Sequence, residues 1–254
     1  MTTATARAHP NIAFIKYWGN RDHALRLPSN SSISMNLDGL FTETTVQWDD
    51  ILAEDQLFLN RREERGDALA RVRKHLNALR ARFGTTACAV VTTQNNFPTG
   101  AGIASSASAF AALTVAGVAA LGESISEREL TTLARLGSGS ASRSVPSGYV
   151  EWHAADTHED SFAETTFDSA HWDLVDIIAV VSRAHKATGS TAGHASASTS
   201  DLQPARVAGV QERLERVKQA IAARDFGAFA EVVEHDSNLM HAIMMTSHPP
   251  FFYW

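Results

Sequence analysis

The chain is most informative over residues 95–108, which read Asn95-Asn-Phe-Pro-Thr-Gly-Ala-Gly-Ile-Ala-Ser-Ser-Ala-Ser108. A β-branched run before this stretch and an apolar run after it predict a strand, a glycine-bearing turn and the start of a helix. Free backbone N–H groups and the positive end of a helix dipole then point to one place, which favours phosphate binding. Gly100 and Gly102 let the backbone approach a ligand, and the Ser105 and Ser106 hydroxyls can donate to phosphate or ligate Mg²⁺. A Ser-capped glycine turn on a buried helix, with no ligand, is an equal alternative at this point.

Outside this stretch, the spacing of apolar residues predicts the other helices and strands. Leu69, Val72, Leu76 and Leu79 recur at intervals of three and four, so we expect a helix from Gly66 that stops at Gly84. The other predicted helices are Ser106–Leu121, Glu127–Leu136, 207–221 and Phe226–Met245. The predicted strands are Asn11–Tyr17, Ser31–Leu37, Phe41–Trp48, Ala87–Thr93, Gly148–Trp152 and Asp176–Ser182, and the predicted loops are 137–143, 153–170 and 186–200.

Composition and charge exclude several classes of protein. The 254 residues are 44% hydrophobic and 20% charged, which is typical of a globular chain and not of a disordered or collagenous one. A formal net charge of −6 disfavours a nucleic acid or an anionic membrane as partner. We expect no signal peptide or membrane span, because the longest apolar stretch, Ala107 to Leu121, is too short. The single Cys88 fits a cytoplasmic protein, and a homodimer is among the oligomeric states that the sequence allows.

Several motifs, in one order along the chain, resemble those of one enzyme family. They are Asn11-Ile-Ala-Phe-Ile-Lys-Tyr-Trp-Gly19, Leu27-Pro-Ser-Asn-Ser-Ser-Ile-Ser34, Asn95-Asn-Phe-Pro98, Pro98-x-x-x-Gly102-Ile-Ala-Ser-Ser-Ala107, Gly137-Ser-Gly-Ser-Ala-Ser-Arg143 and Asp236-Ser-Asn-Leu-Met-His241. Together they resemble the mevalonate diphosphate decarboxylase family of the GHMP kinase superfamily, from about Ala8 to Trp254. The resemblance implies an α+β, two-lobed GHMP kinase-like fold with a C-terminally truncated second lobe. The expected domains are an N-terminal lobe over residues 1–180, with the phosphate-binding loop, and a partial C-terminal lobe over 181–254.

The resemblance also implies a reaction that uses ATP and Mg²⁺. The 3-hydroxyl of a phosphorylated mevalonate is phosphorylated, and phosphate and CO₂ then leave to give an isoprenoid precursor. Positive charge develops at the tertiary carbon and negative charge on the departing phosphate, so fixed cations are needed near the phosphates.

The resemblance assigns roles to individual residues. Lys16 is the candidate for the reacting phosphoryl group, the alternative being a strand-end Lys that extends to solvent. Arg143 is the candidate for bidentate binding of the substrate carboxylate, the alternative being a pair with a surface acid. Both are candidate catalytic residues. The other candidate substrate-binding residues are Tyr17, Ser138, Ser140, Lys186, Ser190 and Thr191, and the candidate nucleotide-binding residues are Asn95, Pro98, Gly100, Gly102, Ser105 and Ser106, of which Ser105 and Ser106 are also candidate metal ligands.

One polar group on the last predicted helix has no assigned step. Asp236, Asn238 and His241 either orient loops of the site or form an ordinary polar helix face.

Two departures from the family pattern concern charge. Asn20 and Ala192 stand where the family has a Lys and an Arg for the terminal phosphate of the substrate, and His194 stands in place of a Met. Each lost charge-assisted hydrogen bond is worth roughly 1.5–3 kcal/mol, so we expect mevalonate 5-phosphate to be the substrate and isopentenyl phosphate the product. The alternatives are a mevalonate 5-diphosphate decarboxylase, a mevalonate-type kinase without elimination and a noncatalytic nucleotide- or metabolite-binding relative.

A third departure concerns the general base. In the family a later Asp-Ala-Gly-Pro-Asn segment carries the Asp that faces the 3-hydroxyl, and the 254 residues contain no such segment. We therefore expect either a second lobe that is cut short or an incomplete, inactive relative. Asp236 is not taken as a substitute, because no pattern places it opposite Lys16.

Overall fold

The chain forms a mixed α and β fold, seen here in a computed structural model that describes residues 2–98, 105–179 and 190–252, with the backbone alone for 190–192. The strands are β1 (Thr2–Ala8), β2 (Asn11–Ile15), β3 (Asn20–Asp22), β4 (Leu27–Pro28), β5 (Ser32–Asn36), β6 (Thr42–Asp49), β7 (Gln56–Leu59), β8 (Arg62–Glu64), β9 (Cys88–Asn95), β10 (Tyr149–Trp152) and β11 (Ala163–Phe167). The helices are α1 (Gly66–Phe83), α2 (Ser105–Ala120), α3 (Glu127–Gly137), α4 (Ser190–Ser196), α5 (Gln203–Ala208), α6 (Val210–Ala223) and α7 (Phe226–Thr246).

The described residues form two compact units, and each unit is made of two separate segments of the chain. The first unit contains Met1–Asn11 and Asn36–Pro146. Its sheet has the strand order β1-β6-β9-β7-β8, in which β7 and β9 are parallel and the other pairs are antiparallel. Helix α2 lies against β1 and β6. The core of this unit includes Val46, Trp48, Leu76, Leu79, Val91, Phe110, Leu113 and Val118.

Helix α2 is apolar on nearly every side, and it is buried as the sequence predicts. Its small residues allow close packing: a methyl group at Gly117 would lie 2.7 Å from Cδ1 of Leu79 on α1. The backbone carbonyl of Gly117 accepts a hydrogen bond from Nε1 of the buried Trp48 (2.9 Å). Tight packing therefore fixes the position of α2, and with it the position of Ser105 and Ser106 at its N-terminus.

The second unit contains Ile12–Met35 and Ser147–Trp254. Its sheet has the order β11-β10-β5-β2, and β3 and β4 form a separate two-stranded sheet. Strand β10 pairs antiparallel with both β5 and β11. The main core of this unit includes Phe14, Ile15, Ile33, Tyr149, Leu214, Val217, Ile221, Phe229 and Val232.

The two long amphipathic helices were predicted almost to the residue. Helix α1 ends where Gly84 adopts a left-handed conformation (φ 68°) and its N–H donates to the carbonyl of Arg80. Helix α7 begins after Asp225, whose side chain accepts from the N–H of Ala228, and ends before the Pro249-Pro250 pair.

Other predicted elements were wrong in part. Residues 176–179 of the predicted strand Asp176–Ser182 form no strand, and Ile177 is 87% exposed. The loop at 137–143 is a 3₁₀ helix, Gly139–Ser144; the loop at 153–170 contains β11, and the loop at 186–200 contains α4. The helix predicted over 207–221 is divided at Gly209 into α5 and α6. The domain boundary predicted near residue 180 lies outside the described residues. Within the described ranges, no helix is both long enough and apolar enough to cross a membrane.

Candidate active site

A group of hydroxyls surrounds the start of α2 in the first unit. Ser105 and Ser106 are the first two residues of this helix, and Oγ of Ser106 lies 3.3 Å from Oγ of the buried Ser138. Ser138 follows directly after α3, so two helix ends bring the hydroxyls together. The positive end of the α2 dipole acts at the same place. This arrangement can bind an anion such as phosphate.

Arg143 lies in the 3₁₀ helix that follows Ser138, and it is only 2% exposed. Its Nη2 donates to Oδ1 of the buried Asn11 (3.3 Å). The amide nitrogen of Asn11 in turn donates to the carbonyl of Ser140 (3.0 Å) and to Oγ of Ser144 (2.8 Å). Asn11 thus links the Arg143 side chain to the backbone of the helix that carries it. Arg143 is therefore a buried residue and not a solvent-exposed one.

Asn95 and Pro98 lie at the end of β9 and just beyond it. Oδ1 of Asn95 accepts from Oγ1 of Thr42 (2.7 Å), and the same Thr42 hydroxyl lies 2.7 Å from Oγ of Ser108 on α2. Thr42 therefore ties the end of β9 to the first turn of α2. Pro98 is exposed.

Lys16 follows β2 in the second unit, and its backbone is held by side chains. Its N–H donates to Oδ2 of Asp236 on α7 (2.7 Å), and Asp236 is fully buried. Its carbonyl accepts from Nη2 of Arg206 (2.7 Å) and from Nδ2 of Asn30 (3.0 Å). Asn238, two residues beyond Asp236, is exposed, so these two members of the predicted polar group face different surroundings.

Tyr17 and His194 stack on each other in the second unit, with ring centroids 4.0 Å apart. The Tyr17 hydroxyl donates to Oδ1 of Asn20, and the N–H of Gly19 donates to Nδ1 of His194 (3.1 Å). Trp18 is buried and packs with Ile243 and other apolar residues of α7. The residues that depart from the family pattern, Asn20 and His194, are therefore both in contact with Tyr17.

Several predicted site residues lie outside the described residues. They are Gly100, Gly102 and Lys186, together with the side chains of Ser190, Thr191 and Ala192.

Other residues around these groups carried no individual prediction. Asn11 and Asn30 stand inside quoted motifs, which is the signal that singles them out. Arg206 and Arg213 contact Asp236 but belong to no motif. They lie among apolar residues at helical spacing, and that pattern indicates a helix without indicating a role for either arginine.

Comparison with known proteins identifies the family. A family model described as the diphosphomevalonate decarboxylase-like N-terminal domain matches residues 8–163, and one for the mevalonate 5-diphosphate decarboxylase C-terminal domain matches 176–254. Diphosphomevalonate decarboxylase from Ganoderma lucidum is 42% identical over 270 residues, which cover 98% of this chain and 67% of the relative.

Solved structures agree with these matches. The crystal structure of mevalonate diphosphate decarboxylase from Staphylococcus aureus is 37% identical with a TM-score of 0.92, over 99% of this chain and 77% of that one. A structure of MDDEF in complex with MVAPP, AMPPCP and magnesium is 36% identical with a TM-score of 0.90, over 100% of this chain and 78% of that one. The predicted GHMP kinase-like fold is confirmed. The chain belongs to the diphosphomevalonate decarboxylase family.

Proposed function

We propose that the chain is an ATP-dependent decarboxylase of mevalonate 5-diphosphate. In this reaction the 3-hydroxyl releases its proton to the solvent, its oxygen bonds to the terminal phosphorus of ATP, and the bond from that phosphorus to ADP breaks. The C3–O bond then breaks, the electrons of the C1–C2 bond form the C2–C3 double bond, and phosphate and CO₂ depart from isopentenyl diphosphate. The relatives and structures reported above are named for this substrate.

The observation that carries the proposal is the pairing of two kinds of site in the first unit. The hydroxyls of Ser105, Ser106 and Ser138 at the start of α2 suit a polyphosphate, and the buried guanidinium of Arg143 suits a carboxylate. A decarboxylase of a phosphorylated hydroxy acid needs both. A kinase acting on the same acid would also bind its carboxylate, so the reaction products, and not this pairing, separate the two activities. A bound carboxylate also offsets the desolvation of the Arg143 charge.

The hydroxyl donors fit a magnesium nucleotide. Mg²⁺ takes oxygen ligands, and Ser105 and Ser106 offer such oxygens beside the positive end of a sixteen-residue helix. When bound, Mg²⁺ neutralises charge that develops on the phosphates. Ser105 and Ser106 orient the phosphates in this proposal, and Lys16 keeps the role that the resemblance gives it, which is to stabilise the phosphoryl group in transfer.

Asp236 is not the general base in this proposal. It is fully buried, and its oxygens accept from the N–H of Lys16 and from Nε of Arg213 (2.9 Å). A base must reach the proton that it removes, and these bonds hold the carboxylate away from a substrate.

The relatives do not support the monophosphate that we favoured from the sequence, because their names specify the diphosphate. On charge alone, Asn20 counts as a lost ligand for the terminal phosphate. In the structure Asn20 accepts from the Tyr17 hydroxyl, so it fills a structural role beside a candidate substrate residue. The diphosphate therefore replaces the monophosphate as the proposed substrate.

The test measures CO₂ and ADP from the purified chain with ATP, Mg²⁺ and mevalonate labelled at C1, supplied as the 5-diphosphate or the 5-phosphate. The proposal predicts equal amounts of CO₂ and ADP and a higher kcat/KM for the diphosphate. ADP without CO₂ indicates a kinase, and neither product indicates a noncatalytic relative. A higher kcat/KM for the monophosphate would restore the argument from charge.

A further inference from the structure

Lys16 comes directly after the end of a strand, so its backbone is not part of the hydrogen-bond ladder of the sheet. Strand β2 ends at Ile15, and β2 is the last strand of its sheet, so the peptide groups of Lys16 lie beyond the ladder. Backbone groups of this kind pair with other backbone groups, with side chains or with ordered water. Here three side chains from distant parts of the chain take that place, namely Asn30, Arg206 of α5 and Asp236 of α7.

These side chains are buried and bonded to one another. Arg206 is 2% exposed and donates through Nη1 to Oδ1 of Asn30 (3.1 Å), while its Nη2 lies 3.5 Å from Oδ2 of Asp236. Arg213 donates through Nε to Oδ1 of Asp236 (2.9 Å) and through Nη2 to the carbonyl of Arg206 (2.7 Å). The network therefore holds the carbonyl and the N–H of Lys16 at the same time.

The network is costly to maintain. Burial lowers the pKa of the Arg206 guanidinium, and Arg213 lowers it too, whereas the charge of Asp236 and its hydrogen bond raise it. A buried ion pair of this kind is often no more stabilising than apolar residues of the same size. Stability alone is thus a weak reason for the network, and a fixed geometry at Lys16 is a better one.

We propose that Asp236 is a positioning residue for Lys16: with Arg206 and Asn30 it clamps both peptide groups of Lys16 and so aims the side chain. This inference rests on the proposed function, in which Lys16 stabilises the phosphoryl group during transfer. A displacement of about 1 Å in such a group can lower the rate about 100-fold.

The first unit offers a matched control. Asp55 is also buried, accepts a backbone N–H (Ala89, 2.9 Å) and pairs with two arginines, Arg73 and Arg80. It differs from Asp236 in that no candidate site residue is among these partners. A loss of stability is therefore expected from both substitutions, and a loss of turnover from only one.

The experiment compares Asp236→Ala, Asp236→Asn and Asp55→Ala. We expect Asp236→Ala to lower kcat at least tenfold with the KM for ATP within about twofold of wild type. Asp236→Asn keeps an acceptor for the Lys16 N–H and should recover at least threefold in kcat. Asp55→Ala should retain the wild-type kcat. Either a kcat for Asp236→Ala within twofold of wild type or an equal loss in Asp55→Ala overturns the proposal.

Two further measurements keep the test decisive. If Asp236→Ala does not fold, Asn30→Ala removes a donor to the Lys16 carbonyl without orphaning a charge, and it must lower kcat with an unchanged KM for ATP. If the wild type releases no CO₂, the proposed function fails, and amide hydrogen exchange tests the clamp by itself. Exchange at Lys16 should then accelerate in Asp236→Ala beyond that of Ile33 in the same sheet, and equal acceleration at both amides overturns the inference.

Discussion

Replacing Gly137 by Ala tests how closely α3 and α2 pack beside the Ser138 hydroxyl. A methyl group at Gly137 would lie 2.7 Å from Cγ and 2.9 Å from Cε1 of Phe110. The ring has to shift to admit the methyl group: Phe110 is buried, meets the ring of His75 edge to face at 5.4 Å, and lines a cavity of about 50 Å³ into which only part of the ring can move. Overpacking of this kind costs about 1–3 kcal/mol, and the helical preference of Ala over Gly returns about 0.5–1 kcal/mol. The midpoints of these two ranges leave a net loss of stability of about 1 kcal/mol.

Urea unfolding followed by circular dichroism measures this loss, and calorimetry should show a fall in Tm of about 2–4 °C. Gly227→Ala is the control, since the nearest atom to its methyl group, Oδ1 of Asp225, is 3.4 Å away and the position is helical. That substitution should be neutral or stabilising. Phe110→Ala removes the obstructing ring, so Gly137→Ala should no longer destabilise in that background. Equal effects of Gly137→Ala in both backgrounds would refute the packing argument.

Two other predictions concern charge. Arg143→Gln should lower kcat/KM for mevalonate 5-diphosphate about 10- to 100-fold, because a hydrogen bond to a charged group contributes about 1.5–3 kcal/mol, while calorimetry shows unchanged ATP affinity; wild-type kcat/KM would remove Arg143 from the proposed site. Burial lowers the pKa of Lys218, but hydrogen bonds to Glu215 and Glu151 and their charges outweigh it and raise the pKa overall. The Lys218 contribution to stability is thus complete below the ordinary lysine pKa of about 10.4 and is lost as pH rises through the folded-state pKa, so wild-type stability should fall more steeply than that of Lys218→Met above about pH 10. Parallel declines would contradict this assignment.

Elements with local signals were predictable from the sequence, and elements that need a distant partner were not. The end of α1 follows from Gly84 and the end of α7 from Pro249-Pro250, because both stops act on neighbouring residues. Residues 177–179 are apolar and have the composition of a strand, but a strand also needs a neighbour to complete its hydrogen bonds. Composition does not report that neighbour.

The candidate site divides in the same way. The serines of α2 stand out because their hydroxyls follow a glycine-bearing turn, whereas Lys16 and Arg143 stand out because they lie in motifs that resemble those of the family. The contact between Lys16 and Asp236 joins residues 220 positions apart, and that between Lys16 and Arg206 joins residues 190 apart. No periodicity extends over such distances. The sequence therefore predicts that Asp236 lies on a helix but does not indicate that its carboxylate accepts a hydrogen bond from Lys16.

The interleaving of the two units has a consequence for synthesis on the ribosome. Strand β5 emerges early, but its partner β10 is made much later, since Met35 pairs with Tyr149. At about 5–20 residues per second the ribosome needs roughly 6 to 23 seconds to reach that partner. During this time the residues of the first unit are being translated, and β5 has β2 as a neighbour but still lacks its other partner, β10. The nascent chain therefore has a period of vulnerability to mispairing and chaperone capture that a chain with consecutive units would avoid.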